Sequence, residues 1–169
     1  MTAGEPPLCA PEPLREHHVR DQFHCGEPTL DDWLRRRALA NQVTGASRTF
    51  VTCRGMQIAG YYALAAGAVT SHEATGRLRR NMPDPIPVIV LGRLAIDRRE
   101  QGRGLGSLLL RDAVARTWRL AQDAGVAGML VHALSPDAKK FYQHWGFVES
   151  PHNPMTLVAR LKDFGCAPQ

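Results

Sequence analysis

An apolar run, a glycine-rich turn and a long amphipathic segment follow one another between residues 88 and 121, and this succession limits the possible folds more than any other feature. Val88-Ile89-Val90-Leu91-Gly92-Arg93-Leu94-Ala95-Ile96 is continuous and β-branched, which predicts a buried strand. Leu105, Leu108, Leu109, Ala113, Thr117, Leu120 and Ala121 recur at helical spacing, with a stop predicted at Gly125. Between the two lies Gln101-Gly102-Arg103-Gly104-Leu105-Gly106. A strand that enters such a turn and opens a helix leaves the first helical amides without partners, at the positive end of the helix dipole. That arrangement suits an anion, most naturally phosphate. A turn that only reverses the chain is the plainer alternative, and three glycines alone do not exclude it.

Phosphate-binding turns differ in detail. A P-loop closes with Gly-Lys-Ser/Thr, whereas this turn closes with Gly106-Ser107 and has no lysine. The dinucleotide fingerprint requires glycine where Ser107 stands. The pattern Gln/Arg-x-x-Gly-x-Gly/Ala is met by Gln101, Gly104 and Gly106. This resembles the pyrophosphate loop of the GNAT N-acetyltransferases, which hold acetyl-coenzyme A.

The chain of 169 residues, 44% hydrophobic and 22% charged, suits one soluble domain. No apolar run approaches the ~20 residues that a membrane-spanning helix needs. Residues 1–13 lack the basic start and apolar stretch of a secretory signal, and Pro6, Pro7, Pro11 and Pro13 predict a loose leader. A single domain over 14–162 and a tail over 163–169 complete the expected organisation. Cys9, Cys25, Cys53 and Cys166 form no Cys-x-x-Cys pair and the seven histidines are dispersed, so neither a disulfide framework nor a metal site is expected. Idle thiols fit a reducing cytoplasm. The net charge of +5 points to a polyanionic partner, and only three of the 21 basic residues are lysine. Arginine grips phosphate with a planar two-pronged donor and stacks on bases. A GC-rich genome also enriches arginine, so placement has to decide.

Elsewhere the chain reads as short alternating elements. A strand is expected near Leu14–Arg20, then a helix over Pro28–Asn41 with Thr29 and Asp32 in capping-box spacing. Leu30, Trp33, Leu34 and Ala38 share one face of that helix, and Arg37 falls anomalously among them. Strands are expected at Arg48–Cys53 and Ile58–Ala65 around a turn at Arg54-Gly55. Ser71–Pro87, interrupted by Gly76, Pro83, Pro85 and Pro87, is expected to be irregular. A strand at Met129–Leu134 precedes a helix capped by Ser135, with Pro136 first and a stop at Gly146. Phe147–Glu149 and Met155–Leu161 are expected as closing strands. The order predicts a mixed α/β (α+β) fold, with a central mixed sheet of six to seven strands flanked by helices.

Several blocks carry a closer resemblance: Phe23-His24-Cys25-Gly26, Leu30-Asp31-Asp32-Trp33-Leu34, Gly45-Ala46-Ser47-Arg48-Thr49-Phe50-Val51, Gly60-Tyr61-Tyr62-Ala63-Leu64, Arg79-Arg80-Asn81-Met82-Pro83, Arg93-Leu94-Ala95-Ile96-Asp97 and Phe141-Tyr142-Gln143-His144-Trp145-Gly146-Phe147. In this order they resemble the GNAT acetyltransferase toxins of bacterial type II toxin–antitoxin operons, the group of TacT, AtaT and KacT. The resemblance implies the GNAT acyl-CoA N-acyltransferase fold from about Leu14 to Leu161. It implies transfer of acetyl from acetyl-CoA to the α-amino group of aminoacyl-tRNA, which blocks translation and arrests growth. It further implies a homodimer in the cytoplasm, with no membrane association and no metal. A cognate ribbon-helix-helix antitoxin would neutralise the toxin and repress the operon, operator DNA being reached only through that complex.

The resemblance also distributes roles. Tyr142 stands where the family places its general acid; a phenol near ~10 can donate to a thiolate whose thiol is near ~8.5. Without the motif, Tyr142 would read as a packing aromatic beside Phe141 and Trp145. No carboxylate base is evident. An α-amino group titrates near ~7.7–8.0, lower still beside an ester, so it needs less help than a lysine near ~10.4. The pantetheine arm is expected along the backbone of Leu94, Ala95 and Ile96, where one N–H could polarise the thioester carbonyl; the same residues also suit a plain core strand. The pyrophosphate is expected on the loop formed by Gln101, Gly102, Arg103, Gly104, Leu105, Gly106 and Ser107, with Arg103 adding charge. RNA contacts are expected from Arg77, Arg79, Arg80 and Arg93, then Arg35 and Arg36. A solvated basic face, or a patch for an acidic antitoxin tail, is the alternative for these arginines. Two rival functions remain at this point: a small-amine or protein N-terminal acetyltransferase, and a non-catalytic regulatory module that binds CoA and nucleic acid.

Overall fold

The structure is a computed structural model that describes residues 4–164; Cys166 and the outer ends of the expected leader and tail lie outside the described residues. Its strands are β1 (Glu12–Pro13), β2 (Arg48–Arg54), β3 (Gln57–Val69), β4 (Ile86–Ile96), β5 (Gly128–His132), β6 (Val148–Ser150) and β7 (Asn153–Arg160). Its helices are α1 (Pro28–Arg36), α2 (Ala38–Thr44), α3 (Gly76–Arg79), α4 (Leu105–Asp123) and α5 (Pro136–His144), with 3-10 turns at Arg98–Glu100 and Leu161–Phe164. The seven strands run in the order β1-β2-β3-β4-β5-β7-β6. β4 and β5 are parallel, while β1–β2, β2–β3, β5–β7 and β6–β7 are antiparallel, so the sheet is mixed as its sequence predicts. The chain comprises two compact units. One comprises the residues up to Leu64 with Arg93–Asp112; the other comprises Ala65–Gly92 with the residues from Ala113 onward. No helix among the described residues is long and apolar enough to cross a membrane.

In the first unit, Leu14, Phe23, Leu34, Ala38, Val51, Ile58 and Tyr61 pack into one core, and the Tyr61 hydroxyl donates to the Leu30 carbonyl at 2.7 Å. The expected single helix over Pro28–Asn41 is broken. Arg37 leaves helical geometry at φ −119°, ψ −32°, and α2 starts at the next residue. The break resolves the anomaly noted above, because Arg37 is exposed while Leu34 and Ala38 stay buried on either side of it. The capping box does not form either: Glu27 precedes Pro28 with no side-chain cap, and buried Asp31 accepts from the Cys25 amide instead.

Part of the leader is held, contrary to expectation. Leu8 bridges Arg54, the Cys9 amide donates to the Cys53 carbonyl at 2.9 Å, and Glu12–Pro13 pairs with Val51–Phe50. Prolines, which lack an N–H, are tolerated on such an edge ribbon. The strand expected at Leu14–Arg20 is mostly a turn instead, closed by the Arg15 amide donating to His18 Nδ1, and only Val19 bridges Gln57.

In the second unit, Val69, Ala74, Leu78, Ile86, Val88, Leu130 and Val158 form the core. The segment expected to be irregular contains the one-turn helix α3, capped by Thr75 Oγ1 accepting from the Leu78 amide. β4 begins before its apolar run, at Ile86, and the Pro87 carbonyl accepts from the Ala127 amide. α5 follows its sequence signals: Ser135 Oγ accepts from the Ala138 amide at 3.1 Å, Pro136 is the first residue, and Gly146 follows the end at φ +98°.

Candidate functional site

The strand–turn–helix lies in the first unit from Arg93 onward. β4 keeps register with β5 from Val88 to Leu91 and then continues to Ile96, so Leu94, Ala95 and Ile96 lie past that register. The Ala95 side chain is buried, and Leu94 and Ile96 are half-buried. Where the strand ends, the Asp97 amide donates to the Ala59 carbonyl at 2.8 Å. The buried Asp97 carboxylate accepts from the amide and Nε of Arg99 and from the His24 amide. Burial pushes this carboxyl up, but these hydrogen bonds and the Arg99 charge together hold it below its ordinary value. The chain therefore leaves the strand at one pinned position.

The turn that follows needs its glycines for conformation, not for space. Gly102 and Gly104 sit at φ +80° and +82°, and a Cβ on either would meet nothing within 4 Å. They bring the chain round to α4, which opens at Leu105. The first amides of any α-helix lack intrahelical partners, so those of Leu105, Gly106 and Ser107 are available to an anion. Leu105 is buried, whereas Gly106 and Ser107 are half-buried. Gln101 acts as a strap: its Nε2 donates to the Cys25 carbonyl at 2.8 Å and to the Ile96 carbonyl at 2.9 Å. Its side chain thus holds the loop in shape, a more indirect part than the sequence pattern suggests. Arg103 is exposed, with Nη1 3.6 Å from Glu5 and 3.7 Å from Glu100. Glu100 is buried against Arg54, whose Nε donates to it at 2.6 Å and holds its carboxyl below the ordinary value.

Tyr142 belongs to the second unit. It is buried on α5, with its ring edge-on to Phe141 at 5.3 Å and to Phe147 at 5.6 Å. Its carbonyl accepts from the Trp145 and Phe147 amides, which fixes the helix end beside it. Burial is the sole cause pushing the phenol well above its ordinary value, so Tyr142 keeps its proton. Packing and proton retention coexist in this residue.

The six arginines expected to meet RNA are divided between the two units. Arg77, Arg79 and Arg80 are exposed on α3 and the residue after it, in the second unit. Arg35, Arg36 and Arg93 lie in the first unit. Arg36 is exposed, but Arg35 is occupied: its Nη2 donates to the Phe23 carbonyl at 2.6 Å, and Nη1 lies 3.4 Å from Asp32. Arg93 stacks its guanidinium over Trp33 at 5.0 Å. The structure also gathers residues that the sequence reading missed. Arg160 and Lys162 join Arg77 and Arg80 around a cavity of about 460 Å³, with Trp118 in its wall. In sequence they look like the polar end of a last strand, flanking Leu161.

Residues 45–149 match the acetyltransferase (GNAT) domain family. The chain is 54% identical over 154 residues to the tRNA-acetylating toxin of Mycobacterium tuberculosis (strain ATCC 25618 / H37Rv), covering 91% of this chain and 93% of that protein. It superposes with a TM-score of 0.86 on AtaT complexed with acetyl-methionyl-tRNAfMet, at 28% identity over 93% of this chain and 96% of that one. A tyrosine-to-phenylalanine mutant of AtaT, bound to the C-terminus of the antitoxin AtaR and acetyl-CoA, matches with a TM-score of 0.80 at 28% identity, covering 94% of this chain and 96% of that one. The sequence match, the strand–turn–helix and the mixed sheet agree: this chain belongs to the GNAT acetyltransferase family.

Proposed function

We propose that this protein transfers acetyl from acetyl-CoA to the α-amino group of aminoacyl-tRNA, and so blocks translation and arrests growth. The observation that carries this reading is its 54% identity, along 91% of its length, to a tRNA-acetylating toxin. The pyrophosphate of the donor lies on the amides from Gly102 to Gly106, with Arg103 adding charge, and Gln101 and Ser107 shape the loop. Two glycines at positive φ and a helix opening beside them support that assignment. The pantetheine arm pairs with the backbone of Leu94, Ala95 and Ile96, and one of their amides polarises the thioester carbonyl.

The α-amino nitrogen attacks the thioester carbonyl carbon. A C–N bond forms as the C–S bond breaks, and the departing thiolate takes the Tyr142 phenolic proton. The proton lost by the amine restores the phenol through solvent, leaving an amide and free coenzyme A thiol. Tyr142 is the catalytic acid, and its buried, protonated phenol supports that role. Arg77, Arg79, Arg80, Arg36 and Arg93 draw in the RNA backbone, while Arg35 acts mainly by holding the Phe23 carbonyl.

The protein works as a cytoplasmic homodimer, and a cognate ribbon-helix-helix antitoxin neutralises it. Operator DNA is reached only through that complex. The AtaT structure that contains the antitoxin's C-terminus and acetyl-CoA supports such a partner. The test is incubation with labelled acetyl-CoA and total charged tRNA, followed by mass spectrometry of the released aminoacyl adenosine. An N-acetylated aminoacyl adenosine is the expected product. Label that appears only on small amines or protein N-termini overturns the assignment.

A further inference from the structure

The cavity in the second unit is lined by thirteen residues, four of them cationic and none acidic. Its cations come from two separate pieces of chain. Arg77 and Arg80 belong to α3 and its exit, and Arg160 and Lys162 to the end of β7 and the turn after it. Asp163 engages Arg160 at 2.8 Å and lies 3.9 Å from Arg77, but Arg80 and Lys162 meet no carboxylate among the described residues. Between the cations stand Trp118 of α4 and Asn81, the latter at φ +60° where the chain turns out of α3. The remaining wall is largely aliphatic.

We propose that this cavity is an RNA subsite, in which Arg80 and Lys162 grip one phosphodiester while the neighbouring base stacks on Trp118. The inference rests on the aminoacyl-tRNA reading, gives Arg80 a defined place in it, and extends it to Lys162 and Trp118, which that reading does not use. The chemistry favours a nucleotide over an acidic peptide. A carboxylate needs only the cations, whereas a nucleotide uses the cations, the flat indole and the apolar wall together. The volume suits a ligand of nucleotide size. Asn81 adds an amide that can read a base edge but contributes no charge.

The test measures binding of fluorescently labelled, deacylated total tRNA over a series of salt concentrations, with acetyl-CoA affinity measured in parallel. Arg80→Gln and Lys162→Gln are combined, since both side chains are exposed and neither meets a carboxylate among the described residues. The pair is expected to raise Kd for tRNA about 10-fold and to flatten the salt dependence by roughly 1–2 units of log–log slope. Acetyl-CoA affinity and melting temperature stay the same. Trp118→Leu is expected to weaken tRNA binding about 10-fold, while Trp118→Phe, which keeps an aromatic face, stays within about 2-fold of the parent.

Unchanged tRNA affinity and slope in the double variant overturn the subsite. So does equal loss in the phenylalanine and leucine variants. Weakened antitoxin binding with intact tRNA binding assigns the cavity to a peptide and overturns it as well, and a change in oligomeric mass assigns it to a second copy of the chain. The readout is separable from that for function. If the parent protein yields no acetylated aminoacyl-tRNA yet binds tRNA through Arg80, Lys162 and Trp118, the proposed reaction fails and the subsite stands.

Discussion

A phenol serves as an acid only while it holds its proton, and at Tyr142 the surrounding apolar side chains ensure that it does. Because burial raises its ionisation, the pH profile of acetyl transfer should show no alkaline limb from this group between pH 6 and 10. Any rise in rate there should follow deprotonation of the substrate amine. Tyr142→Phe removes one oxygen and leaves the ring contacts with Phe141 and Phe147 in place. It should lower kcat about 10²-fold or more with little change in melting temperature or acetyl-CoA affinity, as measured by steady-state kinetics, calorimetry and thermal denaturation. Glu100 presents the opposite electrostatic case. The hydrogen bond from Arg54 lowers its folded-state ionisation, so the carboxylate binds fewer protons folded than unfolded. Its stabilisation is present above the unfolded value of about 4.3 and is lost as pH falls through the lower folded value. Glu100→Gln should therefore reduce the melting temperature by roughly 3–6 °C at pH 7, and the gap between variant and parent should close in acid below about pH 4.

Among the elements, α5 is the most completely specified by its own residues, and it is the helix that presents Tyr142. Ser135→Ala removes the acceptor for the Ala138 amide and should destabilise the protein by about 1 kcal/mol in urea denaturation, because one amide of the first turn loses its partner. A sharper prediction concerns β5 beside β7. A side chain at Gly128 would run into the Ala159 backbone carbonyl, which cannot rotate away. Gly128→Ala should cost about 3 kcal/mol or more by the same measurement, since a strand has to shift to make room. The elements that local pattern describes poorly are those whose form depends on distant residues. Spacing alone reads Pro28–Asn41 as one helix, yet the chain breaks at Arg37, which is exposed between buried Leu34 and Ala38. The leader reads as loose because its prolines cannot donate hydrogen bonds. Its Cys9 amide nonetheless has a partner at Cys53, 44 residues away. α3 is a single turn, too short for any periodicity to register.

At the scale of the whole molecule, a net charge of +5 directs the protein toward polyanions. Binding of tRNA should weaken steeply with salt, with log K falling by about 0.7–0.9 per phosphate contact for each unit of log salt. Acetyl-CoA, which we propose is held largely by backbone amides, should respond much less, and parallel titrations in 50 and 200 mM salt would show the difference. What the sequence determined by itself was local chemistry: a strand, a turn whose glycines must take positive φ, a helix opening beside it, and a tyrosine on a capped helix. Each of these depends on residues only a few positions apart, so linear spacing records it. What only the tertiary structure decided was which charges are free and which are employed. Arg35 and Arg80 look alike along the chain, but one holds the Phe23 carbonyl while the other meets no carboxylate among the described residues. Lys162 and Trp118 acquire a shared cavity only because β7 and α4 bring them together across 44 residues of chain. Hydrogen bonds and ion pairs act over a few ångströms of space, and separation along the chain says nothing about which groups come within that reach.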